Sequence, residues 1–179
     1  MLKLNARELR KTPPKIGEIG QIKRNPIYLV ADNVIDTYNI GSLFRLADAI
    51  AAEKLYLCGD TEYPPSSKIH KAAVGTEEWV PWKKVDSALR LTLRLKAAGV
   101  QIVVVEQSPK AISYQSLEVN FPVAIVVGNE TTGVFPEVLK MADIIVELPM
   151  FGVNRSFNVW GSAAVVAYKV LESLTSGPH

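Results

Sequence analysis

The sequence predicts a mixed α/β domain on a mostly parallel sheet, with helices on both faces. Three observations carry this. Apolar-rich runs of strand length recur at residues 26–31, 54–58, 101–105, 121–127 and 144–148. Segments with apolar residues at helical spacing stand between several of them. The first strand, helix and strand fit within about thirty residues, a βαβ unit that calls for parallel pairing.

Residues 4–11 are predicted to form a short basic helix. Pro13-Pro14 ends it, and Gly17 and Gly20 keep the next stretch loop-like. Residues 26–31 are apolar enough for burial on both faces of a sheet, and the polar stretch 32–38 ends that strand. A helix begins at Asn39, with Leu43, Leu46, Ala47 and Ile50 recurring on one face. The second strand spans 54–58.

Residues 59–82 lack periodicity and are expected to form a long loop, a feature that in compact domains is usually functional or disordered. Lys68, His70, Lys71, Trp79 and Trp82 in this stretch suit RNA, held by phosphate contacts and base stacking. Packing on the sheet edge is expected of at least one tryptophan. An amphipathic helix at 85–98 stops at Gly99. Strand 101–105 runs into Glu106-Gln107-Ser108, residues 113–120 connect, and strand 121–127 follows. A short helix at 136–141 opens with Pro136.

The C-terminal stretch organises the rest. Strand 144–148 is stopped by Pro149, which cannot donate to the ladder. A polar loop, 151–157, leads to a helix running from Asn158 to Leu174. Open α/β proteins place ligands in loops of this kind, where free backbone N–H groups converge. Taken alone, the loop is equally an ordinary connection that closes the sheet.

Composition narrows the classes. The chain has 179 residues, 48% hydrophobic and 21% charged, which suits one soluble domain. A single cysteine, Cys58, excludes an intramolecular disulfide. Two histidines, His70 and His179, are too few for a usual zinc site, so no metal is expected. No apolar run reaches the roughly 18 residues of a membrane span, and the N-terminus lacks the apolar core of a signal peptide. A cytoplasmic protein without membrane contact is expected. Net charge is +2, yet residues 1–24 carry seven basic side chains against two acidic ones. That segment, at +5, is read as a basic extension able to meet phosphates, or else as a solvated tail, and residues 25–179 form the main domain.

Three short motifs stand at the ends of predicted strands. They are Asn39-Ile-Gly-Ser-Leu-Phe-Arg45, Val127-Gly128-Asn129-Glu130-Thr131-Thr132-Gly133, and Ser156-Phe157-Asn158. Each alone is weak. In this order and context they resemble the three motifs of the SpoU (TrmH-like) RNA 2′-O-ribose methyltransferases of the SPOUT superfamily, and the resemblance covers residues 27–174. Thr131-Thr132 departs from the small or basic residue more usual before that glycine.

The resemblance implies transfer of a methyl group from S-adenosylmethionine to a ribose 2′-hydroxyl of tRNA or rRNA. It implies a C-terminal deep trefoil knot, although chains almost never knot, and a homodimer with the active site at its interface. It places Arg45 at the target ribose and phosphate. A guanidinium is normally charged, so it acts as a base only if strongly perturbed and otherwise orients and stabilises the developing alkoxide. Asn39, Glu130, Ser156 and Asn158 join it as the implied catalytic set. The methyl donor is expected against Gln107, Val127, Gly128, Leu148, Met150, Ser156, Phe157 and Asn158.

Structural readings stand beside these roles. Asn39 and Asn158 suit helix N-caps. Arg45 suits an ion pair with Asp48. Gly128 permits close backbone approach, or serves a turn of Gly, Asn and Thr. Glu130 could accept from the ribose or hold Arg45 in place. A catalytically silent RNA-binding protein of the same fold is the alternative function. A flavodoxin-like nucleotide binder is disfavoured, because no glycine-rich phosphate loop is present. The lack of a recognisable separate RNA-binding domain favours a compact tRNA enzyme.

Overall fold

The computed structural model describes Pro14 and residues 16–175; the helix expected at 4–11 lies outside them. A four-residue helix α1, Ile16–Ile19, stands where Gly17 and Gly20 suggested loop. Then come β1 (Asn25–Asp32), α2 (Thr37–Ala49), β2 (Ala52–Cys58), α3 (Ser67–Ala73), β3 (Trp82–Val85), α4 (Ala88–Ala97) and β4 (Gln101–Val105). The chain continues through β5 (Ile112–Ser113), β6 (Val123–Val127), α5 (Pro136–Lys140), β7 (Ile144–Glu147) and α6 (Val159–Thr175).

The seven strands form one sheet in the order β3-β2-β1-β6-β4-β7-β5, and every adjacent pair is parallel. The apolar strands are two-faced. Ile27, Leu29 and Ala31 of β1 and Val123, Ile125 and Val127 of β6 join one core, with Phe44 of α2 and Val166 of α6. Val30, Ala124 and Val126 point the other way, into a core with Leu91 and Leu95 of α4 and Val138 of α5. The period-two pleat thus delivers alternate residues to opposite helix layers. Full burial of a side chain such as Phe44 is worth about 1.5–3 kcal/mol.

Several expectations are corrected. The stretch 59–82 is not a structureless loop: it holds α3, a 3-10 turn at Thr76–Glu78 and the start of β3. Residues 85–87 are not helical. Val85 ends β3, and the Ser87 side chain caps α4 by accepting from Arg90 N at 3.3 Å. Both tryptophans pack: Trp79 is buried and donates to Asp48 at 2.6 Å, and Trp82 meets Phe44 edge-on at 6.0 Å. The connector 113–120 contains the end of β5 and a 3-10 turn, Tyr114–Ser116.

The N-terminal segment is tied down where it is described. Ile19 and Ile22 pack against the α2-side core. Arg24 donates from Nη2 to the Trp79 carbonyl at 3.3 Å. Burial lowers its guanidinium from the ordinary value, opposed by Asp48 and Glu53. Cys58 is likewise structural, its buried thiol pushed up to about 12 chiefly by loss of solvent.

Helix α2 lies against α3 at Gly41. A Cβ at that position would stand 2.8 Å from Ala73 N and 2.9 Å from Ile69 O, and would meet the Ala72 methyl. Nothing lies within 4 Å of the corresponding position at Gly152. Gly41→Ala is expected to cost about 1–3 kcal/mol through overpacking and to lower the melting temperature. Gly152→Ala should leave it unchanged in the same calorimetric scan.

Candidate active site

Parallel strands end together. Ala31 lies beside Val127, Val126 beside Val104, and Val105 beside Val146. The loops after β1, β6, β4 and β7 therefore meet on one edge, where open α/β sheets bind ligands. A cleft opens there. Its walls come from Val105–Gln107 after β4, Val127–Thr131 and Gly133 after β6, and Val146–Leu148 with Met150 after β7. Ser156, Phe157, Val159 and Ser162 close it from the C-terminal loop and α6.

The turn after β6 is bonded to itself and to its neighbours. Asn129 N and Gly133 O, and Gly133 N and Asn129 O, pair at 3.0 Å. Asn129 Oδ1 accepts from Thr131 N and Thr132 N, while its Nδ2 donates to Asn33 O at 2.9 Å. Gly133 has φ +71°, a left-handed conformation that side chains rarely adopt. Gly128 has another reason to be glycine: a Cβ there would run into the Gly133 carbonyl carbon and Val134 N. The close approach allowed by Gly128 is used by the chain itself.

Glu130 joins this turn to α2. Its carboxylate accepts from Ile35 N at 3.1 Å, Asp36 N at 3.0 Å and Asn39 Nδ2 at 2.8 Å. Partial burial works against ionisation, but the hydrogen bonds outweigh it and hold the carboxyl below its ordinary value. Glu130 thus holds Asn39, and not Arg45. The cap of α2 is Asp36, which accepts from Tyr38 N at 2.8 Å; the helix starts at Thr37, two residues before Asn39. Asn39 is buried, and its Oδ1 has no hydrogen-bond partner among the described residues. Arg45 projects from α2 into solvent, with no side-chain hydrogen bond or ion pair among the described residues. Asp48, the partner considered for it, accepts from Trp79.

The structure therefore gathers Gln107, Val127, Gly128, Leu148, Met150, Ser156 and Phe157, together with Glu130, on one cleft. Asn158 does not line it. Its Oδ1 accepts from Trp160 N at 3.1 Å and Gly161 N at 3.4 Å, capping α6. The Phe157 ring lies on Gly161, where a Cβ would come within 2.7 Å of it. Gln107 Nε2 donates to the Arg155 carbonyl, joining the loop after β4 to the loop after β7.

Three acids at this edge were missed from the sequence, among them Glu147, which ends β7 and lines the cleft. Glu106 accepts from Gln107 N at 2.9 Å and Val134 N at 3.0 Å. Asp32, buried at the end of β1, accepts from Phe135 N at 2.9 Å. Burial raises the Asp32 carboxyl, against the pull of its bonds from Phe135 and Asn33. The available signal was an acid directly after an apolar strand run.

These features define a parallel α/β protein whose ligand cleft lies at the strand ends and is bonded to the start of a helix carrying an exposed arginine. Comparison with known proteins agrees. The model of the SpoU rRNA Methylase family matches residues 26–168, and the chain belongs to that family. It is 30% identical over 162 residues to the tRNA (guanosine(18)-2′-O)-methyltransferase of Aquifex aeolicus, covering 90% of this chain and 76% of that one. It is 32% identical to the 23S rRNA (guanosine-2′-O-)-methyltransferase RlmB of Neisseria meningitidis, over 83% of this chain and 59% of that one. The crystal structure of the A. aeolicus TrmH/SpoU tRNA modifying enzyme superposes with a TM-score of 0.79 at 27% identity, across 96% of this chain and 83% of the other. The fold is also that of the SpoU methyltransferase AviRb of Streptomyces viridochromogenes in complex with AdoMet, with a TM-score of 0.77 at 22% identity, over 91% and 66% of the two chains.

The Glu130 clamp has a definite pH signature. Its carboxyl is depressed in the fold, so its stabilisation is complete above the ordinary value of 4.5 and is lost as pH falls through the lower folded value. Asp32, with a raised carboxyl, acts in the opposite sense. Glu130→Gln is therefore expected to lower the urea midpoint at pH 7, with the gap between wild type and variant narrowing as pH falls below 4.5.

Proposed function

We propose that this chain transfers the methyl group of S-adenosylmethionine to a ribose 2′-hydroxyl of RNA, with tRNA favoured over rRNA. The observation that carries the reading is the cleft at the ends of β4, β6 and β7, bonded through Glu130 to the helix that bears Asn39 and Arg45. The names of the SpoU relatives, tRNA and 23S rRNA 2′-O-methyltransferases, support it.

The cleft suits the donor. Leu148, Met150, Phe157 and Val159 offer apolar surface to a flat heterocycle, backbone at the strand ends offers hydrogen bonds, and Glu106, Glu130 and Glu147 favour a cation. When bound, the donor supplies an electrophilic methyl group on a sulfonium. Gln107, Val127, Gly128, Leu148, Met150, Ser156 and Phe157 hold it; Asn158 acts by fixing the loop and the start of α6. Asn39 and Glu130 set the start of α2, and Arg45 orients the ribose and stabilises charge on its 2′-oxygen, whose proton passes to solvent while S-adenosylhomocysteine departs. The reaction needs no metal.

We infer further that two copies complete the site. Phe151, Val153 and Phe157 in the C-terminal loop and Tyr168 on α6 are exposed in the single chain, with Phe151 at 95%; apolar surface of this kind beside a cleft marks an interface. We also place a trefoil knot at the C-terminus. The strand order supports this reading: β7 lies between β4 and β5, so the connection 106–111 has to cross past β7. A cytoplasmic location fits an RNA substrate and a small soluble donor. No helix among the described residues is long and apolar enough to cross a membrane.

Arg45→Ala and Arg45→Lys are expected to fold and to bind S-adenosylhomocysteine like the wild type in calorimetric titration. Both should lose methyl transfer by roughly a hundredfold or more in single-turnover assays, the loss typical of a catalytic electrostatic contact; lysine cannot reproduce the planar fork. The substrate is RNA from a strain lacking the protein, and the product is read as a 2′-O-methyl nucleoside by mass spectrometry. S-adenosylhomocysteine binding without transfer in the wild type would support the silent RNA-binding alternative; no binding would remove the donor assignment.

Residues 1–13 contribute Lys3, Arg7, Arg10 and Lys11. Deleting them is expected to weaken RNA binding and to flatten its salt dependence by about one log–log unit per lost phosphate contact. Donor affinity, titrated in parallel, should stay the same.

A further inference from the structure

On the β3 side of the sheet, α3 and the turn Thr76–Glu78 bring three ligating side chains together. One ligand atom each from His70, Glu77 and Glu78 lies within 4.8 Å of the other two. His70 Nδ1 stands 2.5 Å from Glu77 Oε1. The Glu77 side chain is only 8% exposed, and its other oxygen, Oε2, is buried with no hydrogen-bond partner among the described residues. The three residues border a groove that Pro64, Pro65, Ser66 and Trp82 complete. The groove shares no lining residue with the methyl-donor cleft.

A buried carboxylate oxygen without a donor is costly, and a fold usually supplies one. Among the described residues no lysine or arginine supplies it. Lys84 donates to the Gly59 carbonyl and lies over the Tyr63 ring, while Lys68 and Lys71 are exposed on α3. His70 reaches only Oε1. A metal ion answers both the orphan oxygen and the crowding of His70 on two acids. The imidazole selects the class, since magnesium and calcium sites are built from oxygen ligands, whereas zinc-like ions accept one histidine and two carboxylates.

We propose that His70, Glu77 and Glu78 bind one divalent transition-metal ion of the zinc class, with its remaining position open to the groove. Bonds of about 2.0–2.2 Å require the His70 and Glu78 side chains to turn toward Glu77, and both are exposed. The sequence expectation of no metal weighed histidines and cysteines and left the paired glutamates out. Such an ion braces α3, and α3 packs on α2 at Gly41. The site is independent of the methyl-transfer reading.

The test uses the full-length protein, stripped with a chelator and exchanged into metal-free buffer. Titration with Zn²⁺ by calorimetry is expected to show one saturable site per chain, and Co²⁺ to develop visible absorption bands with the same stoichiometry. His70→Ala and Glu78→Gln, at exposed positions, should each weaken binding at least tenfold, and so should the near-isosteric Glu77→Gln. Lys71→Ala and His179→Ala should bind as the wild type does. No saturable binding, or binding undiminished in both His70→Ala and Glu78→Gln, would overturn the proposal. S-adenosylhomocysteine binding, measured on the same metal-free sample, reports separately on the donor cleft.

Discussion

The site depends on one carboxylate reaching across the edge of the sheet. Glu130 takes two backbone N–H groups and an amide from residues 35–39, so the turn after β6 and the start of α2 form a single unit. The same device recurs around it. Asp32 takes Phe135 N, Glu106 takes Val134 N, and Asn129 holds Asn33 O. Loops that leave parallel strands carry free backbone donors, and acids at strand ends are suited to receive them. The cleft is thus framed by bonds from side chain to backbone between loops, on a scaffold of two-faced strands.

Glycine serves this frame by its size. At Gly128 the chain packs its own backbone against the Cα, and at Gly41 one helix seats on another. Neither position faces open space. Arg45 is the contrast: exposed, it projects from a helix whose other face is almost wholly buried. A rigid helix carrying an exposed cation, unpaired among the described residues, suits a partner that arrives from solution, and RNA phosphate and ribose have that chemistry.

The central strands were legible in the sequence because burial on both faces demands unbroken apolar runs, which few other elements share. The cleft residues were named through the family resemblance, and most of them stand where those runs end. What escaped was short or distant. Helix α3 has seven residues and buries only Ile69 and Ala73, too few to show a period. Strand β3, Trp82–Val85, carries two lysines at the sheet edge and resembles a loop. Asn39 looked like a cap because Asp36, the true one, lay in a run of polar residues. The roles of Asp32 and Glu106 rest on donors 103 and 28 residues away, and no local pattern reports such pairing.

The strand order also dictates when the protein can be finished. Strand β6 lies between β1 and β4, and β7 lies between β4 and β5, so each later strand enters a gap left by earlier ones. A chain growing from its N-terminus completes β3-β2-β1 with the apolar edge of β1 unpaired until residue 123 has emerged. Strand β5 waits for β7, and the cleft waits for α6. A nascent chain of this topology exposes sticky edges for most of its synthesis. A chain ending before residue 144 therefore lacks β7 and α6, and with them two walls of the cleft.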